Sequence, residues 1–211
     1  MIRVKVCGLN DPLNVTAISE TGVDFIGYIF YRGSVRFVGE LPDKKLFSNV
    51  KNRIKRVGVF VNEDPVKVKE LAEYASLDLI QLHGNESVSY CASLKDDGLK
   101  IIKTFGVGND FDPGETDLYS EVCDFFLFDA RQEKHGGAGK KFEWGLLKNY
   151  PFVKPFFLSG GIGPEDVDIT PGVLNRQFFA IDINSRFEIS PGIKDAGSVK
   201  NFINEIKRSD K

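Results

Sequence analysis

A chain of 211 residues suits one domain, since about 150 residues is an ordinary length for one. Its 28 Lys and Arg against 30 Asp and Glu leave a net charge of −2, which argues against a basic nucleic-acid footprint or an electrostatic membrane surface. The hydrophobic content of 42% is ample for one core, yet no apolar run nears the ~20 residues of a membrane span.

The opening MIRVKVCGLN lacks the long apolar region of a signal peptide. Cys7, Cys91 and Cys123 are odd in number and far apart, which fits free thiols in a reducing cytoplasm. With only His83 and His135 as imidazoles, a multi-histidine metal site is not expected.

In chain order the sequence repeats one phrase: a short apolar, β-branched run, a Gly or polar break, then an amphipathic stretch. The runs fall at 2–7, 25–30, 56–61, 79–82, 100–105, 125–128, 156–159 and 178–183. Helices are expected at 12–21, 41–49, 65–75, 86–95, 142–148 and 196–207, with a short turn after Pro164 and a short or irregular helix within 106–119. Strands alternating with helices imply a parallel sheet covered by helices. Eight units in 211 residues match the small end of a closed (β/α)8 TIM barrel, read here as one domain over 1–211. An open doubly wound sheet is the alternative, but it would more often carry G-x-G-x-x-G after its first strand, where this chain has Cys7-Gly8-Leu9-Asn10.

Alternate strand residues face the axis of such a barrel. Turning the polar residues inward places Lys5 and Cys7, Gln81 and His83, Leu127 and Asp129, and Asp182 and Asn184 inside. Val4, Val6, Ile80, Leu82, Phe126, Phe128, Ile181 and Ile183 then face the helices. Most of the inward polar set gathers at the carboxyl ends of the strands, the rim where barrel enzymes build their sites.

The stretch FFLSGGIGPED, 156–166, joins a buried strand to Gly160, Gly161 and Gly163 and then to Pro164 and two carboxylates. That is a tight βα turn, or an anion site in which unpaired N–H groups converge. Cys7 is either a small buried apolar residue or a thiolate base or nucleophile; a thiol ionises near about 8.5, lower beside cations or helix amino ends. Asp129 either caps the loop that follows it or, kept protonated by burial, serves as an acid. The loop 130–141, with Gly136, Gly137 and Gly139, is a solvated loop or a lid. Arg32 and Arg36 follow strand two, and an arginine fork suits a planar carboxylate. His83 is a rim histidine or an acid, and Lys5 is expected to pair with Asp182.

Nine motifs in order, KVCGL (5–9), GYIFYRGSVR (27–36), VGVFVN (57–62), IQLHG (80–84), FFLFDA (125–130), GGAGKKFEW (136–144), LSGGI (158–162), AIDINS (180–185) and PGIKD (191–195), resemble the phosphoribosylanthranilate isomerase family of tryptophan biosynthesis. The resemblance implies an Amadori rearrangement of N-(5'-phosphoribosyl)anthranilate to 1-(o-carboxyphenylamino)-1-deoxyribulose 5-phosphate, with no cofactor and no metal. By the same resemblance Asp129 is the general acid that opens the ribose ring and Cys7 the base that removes the C2 proton. Arg36 would hold the anthranilate carboxylate. Gly160, Gly161, Asn184 and Ser185 would hold the phosphate, Asp182 would sit near the ribose hydroxyls, and His83 is counted among the substrate-binding residues. The partner is then this small molecule, with no nucleic acid or membrane involved, and the protein a cytoplasmic monomer or homodimer. Another phosphosugar barrel enzyme and a catalytically silent phosphate-binding barrel are the alternatives.

Overall fold

The apolar runs become strands because each is too short for a helix and has helices to bury it from outside. In the computed structural model, which describes residues 2–108, 110–131, 144–147, 154–168 and 177–209, they are β1 (Arg3–Cys7), β2 (Phe25–Ile29), β3 (Lys55–Phe60) and β4 (Leu79–Leu82). The ring continues with β5 (Ile101–Val107), β6 (Phe125–Ala130), β7 (Phe156–Leu158) and β8 (Phe178–Ile183). All pair in parallel in sequence order, and β8 returns to β1 to close the barrel.

The register is pinned at the amino ends by a device the sequence repeats, an aspartate between two apolar residues. The carboxylates of Asp24, Asp78 and Asp124 precede β2, β4 and β6. Each accepts a backbone N–H on the preceding strand, from Val4 at 2.9 Å, Arg56 at 2.8 Å and Ile101 at 2.8 Å. A one-residue slip would break these bonds and turn every inward side chain outward.

Helices start where the sequence offers a cap. Asp11 accepts from the Asn14 amide at 2.7 Å ahead of α1 (Pro12–Ser19), and Asp64 does the same for Val66 ahead of α3 (Pro65–Tyr74). Ser87 caps α4 (Val88–Asp96). The last helix, α6 (Ala196–Ser209), buries Val199, Phe202, Ile203 and Ile206, a spacing that makes one continuous apolar stripe.

One expected helix is shorter than read. The stretch 41–49 gives only α2 (Lys45–Ser48), because Leu41 is exposed and the buried face begins at Leu46 and Phe47. Of 142–148, Trp144–Leu147 form a 3-10 turn and the remainder lies outside the described residues. The gap 106–119 holds only the single turn α5 (Gly114–Asp117). After β8 comes a feature that was not expected, an antiparallel hairpin of β9 (Glu188–Ser190) and β10 (Ile193–Lys194) turning at Pro191-Gly192.

The inward and outward phases fall as the alternation requires. Val4, Val6, Ile80, Leu82, Phe126, Phe128, Ile181 and Ile183 join the core between sheet and helices. Inside, Phe25, Val57, Leu79, Ile102, Leu127, Phe157 and Ala180 fill the lower barrel as a separate cluster, with Phe125 and Phe179 packed beneath. Apart from Ala180, each such side chain contributes about 1.5–3 kcal/mol by leaving water. Above them the interior turns polar.

Candidate active site

The first polar level is a charge pair. Lys5 on β1 is wholly buried, and its ammonium donates to both oxygens of Asp182 on β8 at 3.0 and 2.9 Å. Burial pulls the ammonium down, but Asp182 and the Cys7 sulfur outweigh it, so Lys5 stands above its ordinary value.

Two residues on, at the carboxyl end of β1, Cys7 points into the same interior beside Gly27 of β2. A Cβ at Gly27 would stand 2.8 Å from the Cys7 sulfur and 3.2 Å from Lys5 Cε, so the glycine makes room for both. Burial pushes the Cys7 thiol above its ordinary value, against the opposing pull of Lys5 and Lys194. The cations sought as activators are present, yet the dry surroundings win, and in the free protein Cys7 carries its proton.

Asp129 does not cap a loop. It lies within β6, in register with Gly106 of β5. One carboxylate oxygen accepts from the Ala130 amide at 2.8 Å, while the other lies 3.6 Å from His83 Nε2 on β4. Burial raises its pKa to about 6, against the lowering effects of the Ala130 amide, Lys5 and a hydrogen bond with Ser159. His83 moves the other way, to about 4, through burial and the repulsion of Lys5, so it is neutral at physiological pH. Its Nδ1 sits 3.0 Å from Gln81 Nε2.

Cys7, Asp129, His83, Asp182, Asn184 and Arg36 all line one well of about 80 Å³ at the mouth of the barrel. His83 and Asp129 also border an adjoining cleft of about 490 Å³ over β4, β5 and β6. Arg36 reaches the well from the loop after β2. That loop is held by the Ser34 hydroxyl, which accepts the Arg36 amide at 3.1 Å, and by a bridge between Ile29 and Phe37. The Arg36 Nε and Nη2 each donate to Glu188 at 2.7 Å.

The glycine turn closes the ring on the far side. Gly160 and Gly161 have φ of 98° and 64°, left-handed conformations in which a side chain is strained. Ser185 begins a 3-10 turn, Ser185–Phe187, after β8. The amides of Gly160, Gly161 and Ser185 donate to no oxygen of the described residues, so three N–H groups stand available on neighbouring loops. Arg186 is paired with Glu165 at 2.7 Å, tying those two loops together. Gly136, Gly137 and Gly139, the expected lid, lie outside the described residues.

Sequence reasoning passed over Glu188, whose side chain pairs with Arg36, and the buried Lys194, although Lys194 sits in the motif PGIKD. It also left Gln81 without a role. That residue is buried at the well, and its carbonyl oxygen has no hydrogen-bond partner among the described residues.

A closed ring of eight parallel strands, with a thiol, a carboxyl and free amides at the carboxyl ends, defines a (β/α)8 barrel of the kind that does chemistry on that rim. The family described as N-(5'phosphoribosyl)anthranilate (PRA) isomerase matches residues 4–205. A relative of that name from Parabacteroides distasonis is 41% identical over 204 residues, covering 96% of this chain and 92% of the relative. The solved phosphoribosyl anthranilate isomerase from Thermotoga maritima shares 35% identity at a TM-score of 0.88, covering 99% of this chain and 100% of that one. A structure of such an isomerase in complex with reduced 1-(o-carboxyphenylamino)-1-deoxyribulose 5-phosphate gives 32% and 0.84 over the same shares. The chain belongs to the N-(5'-phosphoribosyl)anthranilate isomerase family.

Proposed function

We propose that this protein converts N-(5'-phosphoribosyl)anthranilate to 1-(o-carboxyphenylamino)-1-deoxyribulose 5-phosphate, the aldose–ketose step of tryptophan biosynthesis. Family membership supports the reaction. The observation that carries the residue assignment is the shared well, where Cys7 and Asp129 meet beside Arg36.

The protonated Asp129 carboxyl, with a pKa of about 6, gives its proton to the ribose ring oxygen. The C1–O bond breaks and the sugar opens to a Schiff base cation. A cation now stands at C1, and together with the Lys5 ammonium it favours the Cys7 thiolate that the free protein disfavours; the thiol proton passes across the shared well to the Asp129 carboxylate left by the first step, which restores the acid. The thiolate takes the C2 proton, and the resulting enolamine tautomerises to the ketone. Through these steps Arg36 holds the anthranilate carboxylate. Gly160, Gly161, Asn184 and Ser185 hold the phosphate, largely through backbone donors. Asp182, fixed by Lys5, and His83 face the ribose.

We further propose one barrel domain over 1–211, acting in the cytoplasm as a monomer or homodimer. Three buried free thiols support that compartment. No described helix is long and apolar enough to cross a membrane. The Thermotoga maritima relative is described as dimeric.

The test is to generate the substrate in situ and follow the loss of its fluorescence on adding protein. Activity is expected, and Cys7→Ala and Asp129→Asn should each reduce kcat by about 10²–10⁴-fold. Full turnover in both variants would refute the assigned roles, and a wild-type protein without turnover would favour a silent phosphate-binding barrel.

A further inference from the structure

Arg36 is not free to choose its orientation. Its guanidinium has five N–H donors, and Nε and Nη2 are committed side-on to the two Glu188 oxygens at 2.7 Å each. Three N–H donors remain, on Nη1 and the outer side of Nη2, and together they form the opposite fork. Glu188 is itself held. Its Oε1 accepts from Lys194 Nζ at 2.5 Å and from the Gly192 amide at 3.1 Å, both on the hairpin of β9 and β10. Lys194 also donates to Asn184 Oδ1 at 2.6 Å. Room for this packing comes from Gly8, where a Cβ would lie 2.7 Å from Arg36 Cδ and 2.9 Å from Asn184 Oδ1.

The charges have a sum. Arg36 and Lys194 are cations and Glu188 is an anion; all three are buried or nearly so, and the neighbouring Lys5 and Asp182 cancel each other. The cluster is left with one positive charge at the wall of the well, largely removed from water. A buried unbalanced charge is costly. One carboxylate on the free fork would neutralise it.

We propose that Glu188 is a positioning residue that turns the free edge of Arg36 into the well and, with Lys194, tunes the cluster to accept a single carboxylate. The inference rests on the reading of Arg36 as the carboxylate binder. A hairpin staple would need only the contacts to Lys194 and Gly192. The side-on pair to Arg36 does something further, because it fixes the plane of the guanidinium.

The experiment compares two ligands by calorimetric titration: the reduced reaction product, and the same compound made from aniline, which lacks the ortho carboxylate. Wild-type protein should favour the first. In Glu188→Gln the lost orientation of the fork should outweigh the positive charge gained, and that preference should shrink by about tenfold or more, with KM rising more than kcat falls. Glu188→Asp keeps the charge beside Lys194 but shortens the reach, and should lose the preference while its melting temperature stays near wild type. In an Arg36→Ala background, Glu188→Gln should change the preference no further. An undiminished preference in both Glu188 variants would overturn the proposal, as would an equal further loss in the Arg36→Ala background. A wild-type protein indifferent to the carboxylate would instead overturn the reading of Arg36, and the proposal with it.

Discussion

Asp129 should make this protein less stable than it needs to be. Its pKa in the fold is about 6 against an ordinary 3.8, a gap of about two units. At about 1.36 kcal/mol per unit, ionising it in place costs the folded state roughly 3 kcal/mol more than ionising it in the unfolded chain. The sign follows from the order of the two values. Below about pH 4 the carboxyl is protonated in both states and nothing is lost. Between about pH 4 and 6 the unfolded carboxyl ionises while the folded one holds its proton, so stability falls, and above about 6 the whole penalty applies.

Asp129→Asn keeps an oxygen for the Ala130 amide and removes the charge. At about pH 8 the variant should be more stable by about 2–3 kcal/mol, a rise in melting temperature of roughly 4–10 °C for a chain of this size. At about pH 4.5 the advantage should fall to about 1 kcal/mol, since the unfolded carboxyl is already ionising while the folded one keeps its proton. Thermal melts of both proteins at both pH values decide the matter. Equal melting temperatures at the higher pH, or an advantage undiminished at the lower, would refute the argument that burial governs this carboxyl.

Lys5→Met strands the buried Asp182 carboxylate and should cost about 3–5 kcal/mol in denaturant unfolding, most of it recovered when Asp182→Asn is added. Gly27→Ala pushes a methyl against the Cys7 sulfur; a loss of about 1–3 kcal/mol is expected, together with a fall in kcat as the thiol is displaced. His83 should show no imidazole protonation by NMR until pH falls to about 4. A midpoint near the ordinary 6.5 would mean that water reaches the ring freely.

The inward phase of the strands was readable because polar residues occur at every second position near the ends of β1, β4 and β8. Lys5 with Cys7 and Gln81 with His83 leave only one orientation that buries the rest. The Lys5–Asp182 pair followed from the same alternation, since an isolated inward charge is too costly to leave alone. Strand lengths were less legible. The apolar run 125–128 stopped short of Asp129, which the alternation alone placed inward on the same strand, and β5 supplies pairing as far as Ala130. Helix 41–49 was overextended because leucine and proline at 41 and 42 mimic a helix start, and only the fold reveals that Leu41 meets no core. Glu188 could not be paired with Arg36 from spacing, for 152 residues separate them. The protonated thiol of Cys7 was hidden for another reason: a sequence lists the charges near a group, but not how much water has been removed from it.

Beneath the reacting groups the barrel is corked. Phe157 meets Phe25 edge-on at 5.3 Å, Phe125 and Phe179 lean together at 4.8 Å, and the Arg3 guanidinium lies over Phe179 at 4.3 Å. A vessel stoppered at its base has a single doorway. Whatever is made inside must leave by the route its precursor took, and while it lingers the next sugar waits outside. Product and substrate thus compete for one passage, and the pace at which the doorway empties limits how fast it can be filled again.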